Sequence, residues 1–269
     1  MKKSTFVLIF SMVLWSVVLI FSSWDQSVLN TIDLEKILMP PNSESLFGSD
    51  DLGRSIGPRI VSGARLSLFV VIIVLTVTSV FGTLIGILSG LVGGKFDSIV
   101  MRVIDIFLSF PGILLAISLA GILGGGLHNV VLALSAVGWV GFARLSRAQT
   151  LRVKQLDHVL VAQLLGTTTP KIIILHVLPL IVSPMLVELT YSAASVILSE
   201  AGLSFLGIGV SSPTASLGSM VRDGSFYLMT APHYVILTGM ALMSLVFLIN
   251  VAGDRLQEKL AEGYSRNIN

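Results

Sequence analysis

Long apolar runs, each near the length of a membrane span, constrain this chain more than any other feature of it. A spanning helix needs about 20 mostly apolar residues. Six stretches qualify: 4–23, 66–91, 103–124, 127–143, 184–209 and 233–252. Only 12% of the 269 residues are charged, where soluble domains carry about 25%. Lipid offers the backbone no hydrogen-bond partners, so runs of this kind fold as helices. The expected fold class is all-α, a polytopic membrane protein with about six transmembrane helices. Pro111, in Phe110-Pro111-Gly112, predicts a kink in the third run rather than two helices. Lys2 and Lys3 before the first run suit a signal peptide or a retained span. The run is long for a signal peptide and ends in Phe21-Ser22-Ser23-Trp24 without a small-x-small cleavage site, which favours a retained span over 1–23.

Basic residues set the orientation. With the N-terminus inside, Lys95, Arg102, Arg144, Arg147, Arg152, Lys154, Lys171, Arg255 and Lys259 all fall on the cytoplasmic side. Lys36, Arg54, Arg59, Arg65 and Arg222 fall outside. That asymmetry predicts both termini in the cytoplasm. Residues 24–65 then form an external loop, turn-rich at Gly48-Ser49-Asp50-Asp51-Leu52-Gly53-Arg54-Ser55. A short interfacial helix is expected over 58–68, with Arg54, Arg59 and Arg65 anchored at the interface or lining an entrance. Residues 66–260 form the core, with a cytoplasmic loop at 144–183, and 261–269 form a cytoplasmic tail.

Few motifs carry chemistry. Gly90 to Asp97, with Lys95 followed by Phe96, fails the phosphate-loop pattern, so no ATPase is expected in this chain. The four histidines, His128, His158, His176 and His233, show no metal-ligand spacing, and there is no cysteine. That spacing offers no metal site and no catalytic set, and a net charge of +2 is not a nucleic-acid signature. Gly82, Gly86 and Gly90 recur every fourth residue and predict a close helix–helix contact. Glu200, inside the fifth run, and Asp105, near the start of the third, are acids in apolar surroundings. They are candidates for a translocation pathway, or for an interhelical hydrogen bond in the case of Glu200. Glu188 reads as lying at the cytoplasmic edge of the fifth run.

The stretch Asp157 to Pro179 interrupts this apolar pattern. Asp157 reads as the cap of a helix over 158–165, and Gly166 as its left-handed stop. Thr169 reads as the cap of a second helix, with Pro170 at its first position. The first helix carries Val159, Leu160, Val161, Ala162, Leu164 and Leu165, too apolar for a free loop, which implies a protein partner.

The same loop resembles the coupling motif of bacterial ABC-importer permeases. There an Ala-Ala pair and a spacer lead to a Gly, then to Ile and Leu-Pro; here the residues are Val161-Ala162, Gly166 and Ile172 to Pro179. Around it, residues 48–68, 101–116, 199–224 and 250–260 resemble, in order and spacing, the dipeptide/oligopeptide/nickel permease family in its second-permease branch. Ser49, Ser55, Val161, Gln163, Leu180 and Leu217 depart from that family's usual residues, which leaves substrate open.

The resemblance implies a permease fold in the bacterial inner membrane, paired with a homologous second permease. Two cytoplasmic ATPase subunits would hold ATP and Mg. An external substrate-binding protein would deliver peptides or nickel chelates. Asp157, His158, Val161, Ala162, Leu165 and Gly166 would couple to an ATPase, and Pro213, Gly218, Arg222 and Asp223 would help form the external docking face. The alternative is a stand-alone secondary transporter or channel, which needs an ion-coupling site inside the bundle.

Overall fold

The computed structural model describes residues 29–43, 45–210 and 212–266. The first expected span, 4–23, lies outside them. The helices are α1 (Ile56–Val92), α2 (Gly94–Leu108), α3 (Gly112–Leu123), α4 (Leu127–Val153), α5 (Asp157–Leu164), α6 (Thr169–Ile172), α7 (Leu178–Phe205), α8 (Leu217–Ser225) and α9 (Pro232–Arg266). A π-turn, Ile173–Val177, joins α6 to α7, so 169–205 is one continuous helical run. Four helices are long and apolar enough to cross a membrane: α1, α4, the 169–205 run and α9.

Local chemistry accounts for each departure from the expected boundaries. Pro111 does not kink the third run but breaks it into α2 and α3, bent by 85°. The residue before a proline is pushed out of the helical region, so α2 stops at Leu108. Pro111 is extended (φ −57°, ψ 122°) and its carbonyl starts α3 by accepting from Leu114 N and Leu115 N. The separate helix expected over 58–68 is instead the beginning of α1, because Pro58 sits in the first turn, where no N–H donor is needed. The fourth run extends to Val153. The fifth begins at Thr169, not 184, and so takes in the last 15 residues of the expected loop. Pro179 lies just past the π-turn, whose wider spacing (Leu178 N to Ile173 O) absorbs the proline's missing donor.

The tightest contact in the bundle is between α1 and α4. A Cβ added to Gly82, Gly86 or Gly90 would fall within 3.0 Å of α4 atoms at Trp139, Ser146 and Thr150 respectively. Small residues at these positions let two backbones meet and gather dispersion contacts that lipid cannot match. α7 crosses both helices. Glu200 is fully buried there, accepting from Ser67 Oγ on α1 (2.7 Å) and from Ser204 Oγ one turn on (2.9 Å).

At the end of the bundle where α1 starts, Asp50 forms a buried ionic knot. Its Oδ1 accepts from Leu52 N (3.0 Å) and Arg54 N (2.8 Å), and its Oδ2 from Arg54 Nε (2.7 Å). Arg59 Nε lies 3.3 Å from the same Oδ2. Arg59 Nη1 donates to Leu29 O and Pro213 O, which ties the segment before α1 to the segment before α8. Arg54 and Arg59 are only 5% and 4% exposed, so they neutralise a buried carboxylate and are not interfacial anchors. Gly53 turns at φ +74° directly against the Asp33 carbonyl, where a side chain has no room. Asp51, beside the knot, has its pKa pushed up by burial and by the Asp50 charge.

Gly86→Leu drives a side chain into the α4 backbone and should cost about 3 kcal/mol, read as loss of monodisperse protein in detergent. Asp50→Asn leaves two arginines without their carboxylate and should cost about 3–5 kcal/mol in thermal unfolding. Asp51→Asn should be tolerated. The raised folded-state pKa means that the charge at Asp51 opposes folding, increasingly as pH climbs through that carboxyl's titration range. A melting temperature lowered equally by both Asp variants would contradict the assignment. Glu200→Gln keeps an acceptor for one serine and a donor for the other, whereas Glu200→Leu strands both hydroxyls. The Leu variant should therefore be the less stable by about 1–3 kcal/mol, measured by thermal shift.

Candidate functional site

The opposite end of the bundle carries the candidate coupling loop. The loop proper is short, because α4 runs on to Val153 and the next run begins at Thr169. Lys154 Nζ donates to Gly90 O (2.8 Å), fastening the end of α4 to the end of α1. Leu156, not Asp157, caps α5. Asp157 is the first helical residue, where its charge favours the positive end of the helix dipole without a capping bond. The stop is a Schellman motif: Thr167 N donates to Ala162 O and Gly166 N to Gln163 O (both 3.0 Å). Gly166 takes φ +78° to close it, and no atom lies within 4 Å of where its Cβ would be. The cap of α6 is Thr168, one residue before the expected Thr169, because Thr168 O accepts the first helical bond, from Ile172 N.

α5 is gripped on one side only. Val159 is fully buried with Ile87 of α1, Val153 of α4, and Ile172, Val177 and Ile181 of the 169–205 run. His158 lies beside His176, with ring centroids 5.7 Å apart. The other side is bare: Leu164 is 86% exposed and Leu165 80%, with Leu160 and Val161 beside them. A short, firmly seated helix thus presents contiguous apolar surface with no covering element among the described residues, which is the character of a protein contact.

The remaining candidate residues separate. Glu200 sits five residues from the end of α7, sealed between serines, in the interhelical hydrogen bond that was the alternative to a pathway role. Asp105 is exposed on α2. Neither lines the cleft described below. Pro213 contributes its carbonyl to Arg59. Gly218 is buried, with the Ala201 backbone where its Cβ would be, so it packs α8 onto α7 instead of facing outward. Arg222 and Asp223 pair at 3.0 Å, half-buried, next to the exposed Phe226 and Met229. Ser216 and Ser219 cap α8 reciprocally. No cluster of His, Asp and Glu among the described residues is fit to hold a metal ion.

One acid lies farther from the start of its helix than the apolar run suggested. Glu188 is the twentieth of 37 residues in the 169–205 run, at its middle and not at its edge. It lines a cleft of about 260 Å³ between α1, α4, α7 and the break at Pro111. The apolar run suggested a helix from 184. Only the helical continuity of 169–183 through two prolines puts Glu188 at the middle of the run.

Residues 82–265 match the family described as "Binding-protein-dependent transport system inner membrane component". The chain is 36% identical over 240 residues to the oligopeptide transport system permease protein OppC of Bacillus subtilis, covering 89% of this chain and 78% of that protein. It is 35% identical over 229 residues to the nickel transport system permease protein NikC of Escherichia coli K12, covering 85% and 83%. The dipeptide transport system permease protein DppC of Alkalihalophilus pseudofirmus is 37% identical over 223 residues, covering 83% and 73%. The fold is similar to that in an inward-facing structure of the MetNI methionine ABC transporter, with a TM-score of 0.62, 19% identity and 75% and 95% of the two chains covered. Its match over most of its length and its several spanning helices place the chain in one group: it belongs to the binding-protein-dependent transport family, as a multi-pass permease subunit of the ABC-importer type.

Proposed function

We propose that this chain is one of two homologous permeases in a bacterial inner-membrane importer, and that α5 is the element through which ATP hydrolysis moves it. The bare apolar face of Leu160, Val161, Leu164 and Leu165 carries this reading. Lys95, Arg144, Arg147, Arg152, Lys154 and Lys171 cluster toward the same end of the bundle, which supports placing that end, and both termini, in the cytoplasm. ATP and Mg are then held by two cytoplasmic ATPase subunits, one of which receives α5 in a groove.

The packing supplies a lever. Val159 sits among side chains from α1, α4 and the 169–205 run. A force on α5 is therefore delivered to three spans together, and the bundle rocks as a body instead of deforming one helix. Asp157, His158, Ala162 and Gly166 position the face; Val161 and Leu165 belong to it. At the other end an external binding protein meets the segment around Pro213, Arg222 and Asp223, stiffened by the Asp50 knot. The relatives named above point to peptides or nickel chelates as cargo, released between this chain and the second permease.

Gly166→Val and Val161→Asp test the lever. The first puts a β-branched residue at φ +78°, costing about 1–2 kcal/mol at the turn; the second buries an unpaired carboxylate at the contact. Both variants should insert and pair with the second permease normally, yet recover at most about a tenth of the ATPase on co-purification, the tenfold loss that 1.4 kcal/mol gives. Wild-type ATPase recovery and wild-type substrate-stimulated turnover in both variants would remove α5 from the transmission path.

A further inference from the structure

We infer that Glu188 is a cation-selecting position in the translocation pathway, and that the cleft around it accepts the positively charged group of the cargo. The inference rests on the permease reading above and deepens it. Burying an acid in the middle of a membrane-spanning helix is costly unless it meets protein partners or water. Glu200 satisfies that demand with two short serine hydrogen bonds in a closed interface. Glu188 does not. Its Oε1 accepts one long bond, from Ser192 Oγ at 3.4 Å, and no Lys, Arg or His pairs with it among the described residues. Instead it is half-buried on the wall of an open cleft.

The walls explain why the carboxylate can be there. Glu188 Oε1 lies 3.1 Å from where a Cβ of Gly141 would be, so α4 withdraws its side chain to make room for the acid. Thr78 and Ser195 add hydroxyls, and Phe107 and Phe110 add aromatic faces that can bear on an organic cation. The break at Pro111 opens onto the same space through Leu108 and Gly112. Irregular backbone at membrane depth is tolerated where it lines a cavity, and broken helices beside a midplane site recur in transporters. The C-terminus of α2 and the N-terminus of α3 meet there with opposite dipole ends, so the sign of the site is left to Glu188. At about 260 Å³ the cleft holds a charged group and its water, not a whole peptide. It is one wall of a path that the second permease completes. The shared chemistry of the ligand is a cation, either a peptide ammonium or a chelated divalent metal.

The absence of cysteine makes the test direct. Ser192→Cys places a single thiol beside Glu188 in the assembled importer, its other subunits made cysteine-free. Methanethiosulfonate reagents bearing an ammonium or a sulfonate then report the local sign. The ammonium reagent should react about ten times faster than the sulfonate, and adding Glu188→Gln should abolish that preference, as loss of one nearby charge does in a medium less screened than water. Equal rates with Glu188 intact would overturn the inference. So would an unreactive thiol, which would mean that a basic side chain of the second permease covers the acid. In proteoliposomes, uptake of trialanine and of the nickel–histidine complex separates the two sources of charge. Glu188→Gln should slow whichever is carried about tenfold, with ATPase attachment unchanged. Loss of ATPase attachment in the α5 variants is a separate readout, so failure of the coupling reading is distinguishable from failure at Glu188.

Discussion

The contact between α1 and α4 along Gly82, Gly86 and Gly90 is the constraint that orders the rest. In lipid there is no hydrophobic gain from bringing two apolar helices together, so association rests on how closely their backbones approach. Gly82, Gly86 and Gly90 surrender their side chains, and Trp139, Ser146 and Thr150 of α4 occupy the vacated space. With those axes set, α7 has one groove to cross, and it pins itself there by the Glu200 bonds to Ser67 and Ser204. The cleft at Glu188 and the seat of Val159 both lie along the groove that this pair creates.

The two ends of the bundle solve different problems. Where α1 begins, polar chain must be held rigid, and a buried carboxylate with two arginines does this by satisfying many donors at one point. Such an arrangement is a poor source of net stability compared with apolar packing, but it fixes geometry, and Arg59 reaches both Leu29 and Pro213. At the opposite end the need is for a rigid helix with one face left bare. A short helix has little stability of its own; α5 borrows it from Val159 beneath and from the Schellman turn at Gly166 behind.

Much of this was legible in the residues. The apolar runs announced spanning helices, the four-residue glycine spacing announced a close contact, and Gly166 announced a left-handed stop, because each is a local property of composition or backbone. The resemblance of residues 48–260 to the dipeptide/oligopeptide/nickel permeases was equally direct, since it lies in the order of short motifs. Boundaries were read less well. Pro111 breaks its helix where a kink was expected, and Thr168 takes the cap expected of Thr169. Which of several permitted termini is used depends on what the neighbouring turns pack against.

The sequence by itself determined the class and the family, because hydrophobicity, spacing and motif order need no partner to be read. Only the tertiary structure decided the fate of each charge. Asp50 and Glu200 are consumed by internal partners, Asp51 is crowded by one, and Glu188 is left facing a cleft. All four are acids in a sequence; what separates them is which donors the folded chain brings close: the local turn and two arginines for Asp50, two serines for Glu200, and one distant serine for Glu188.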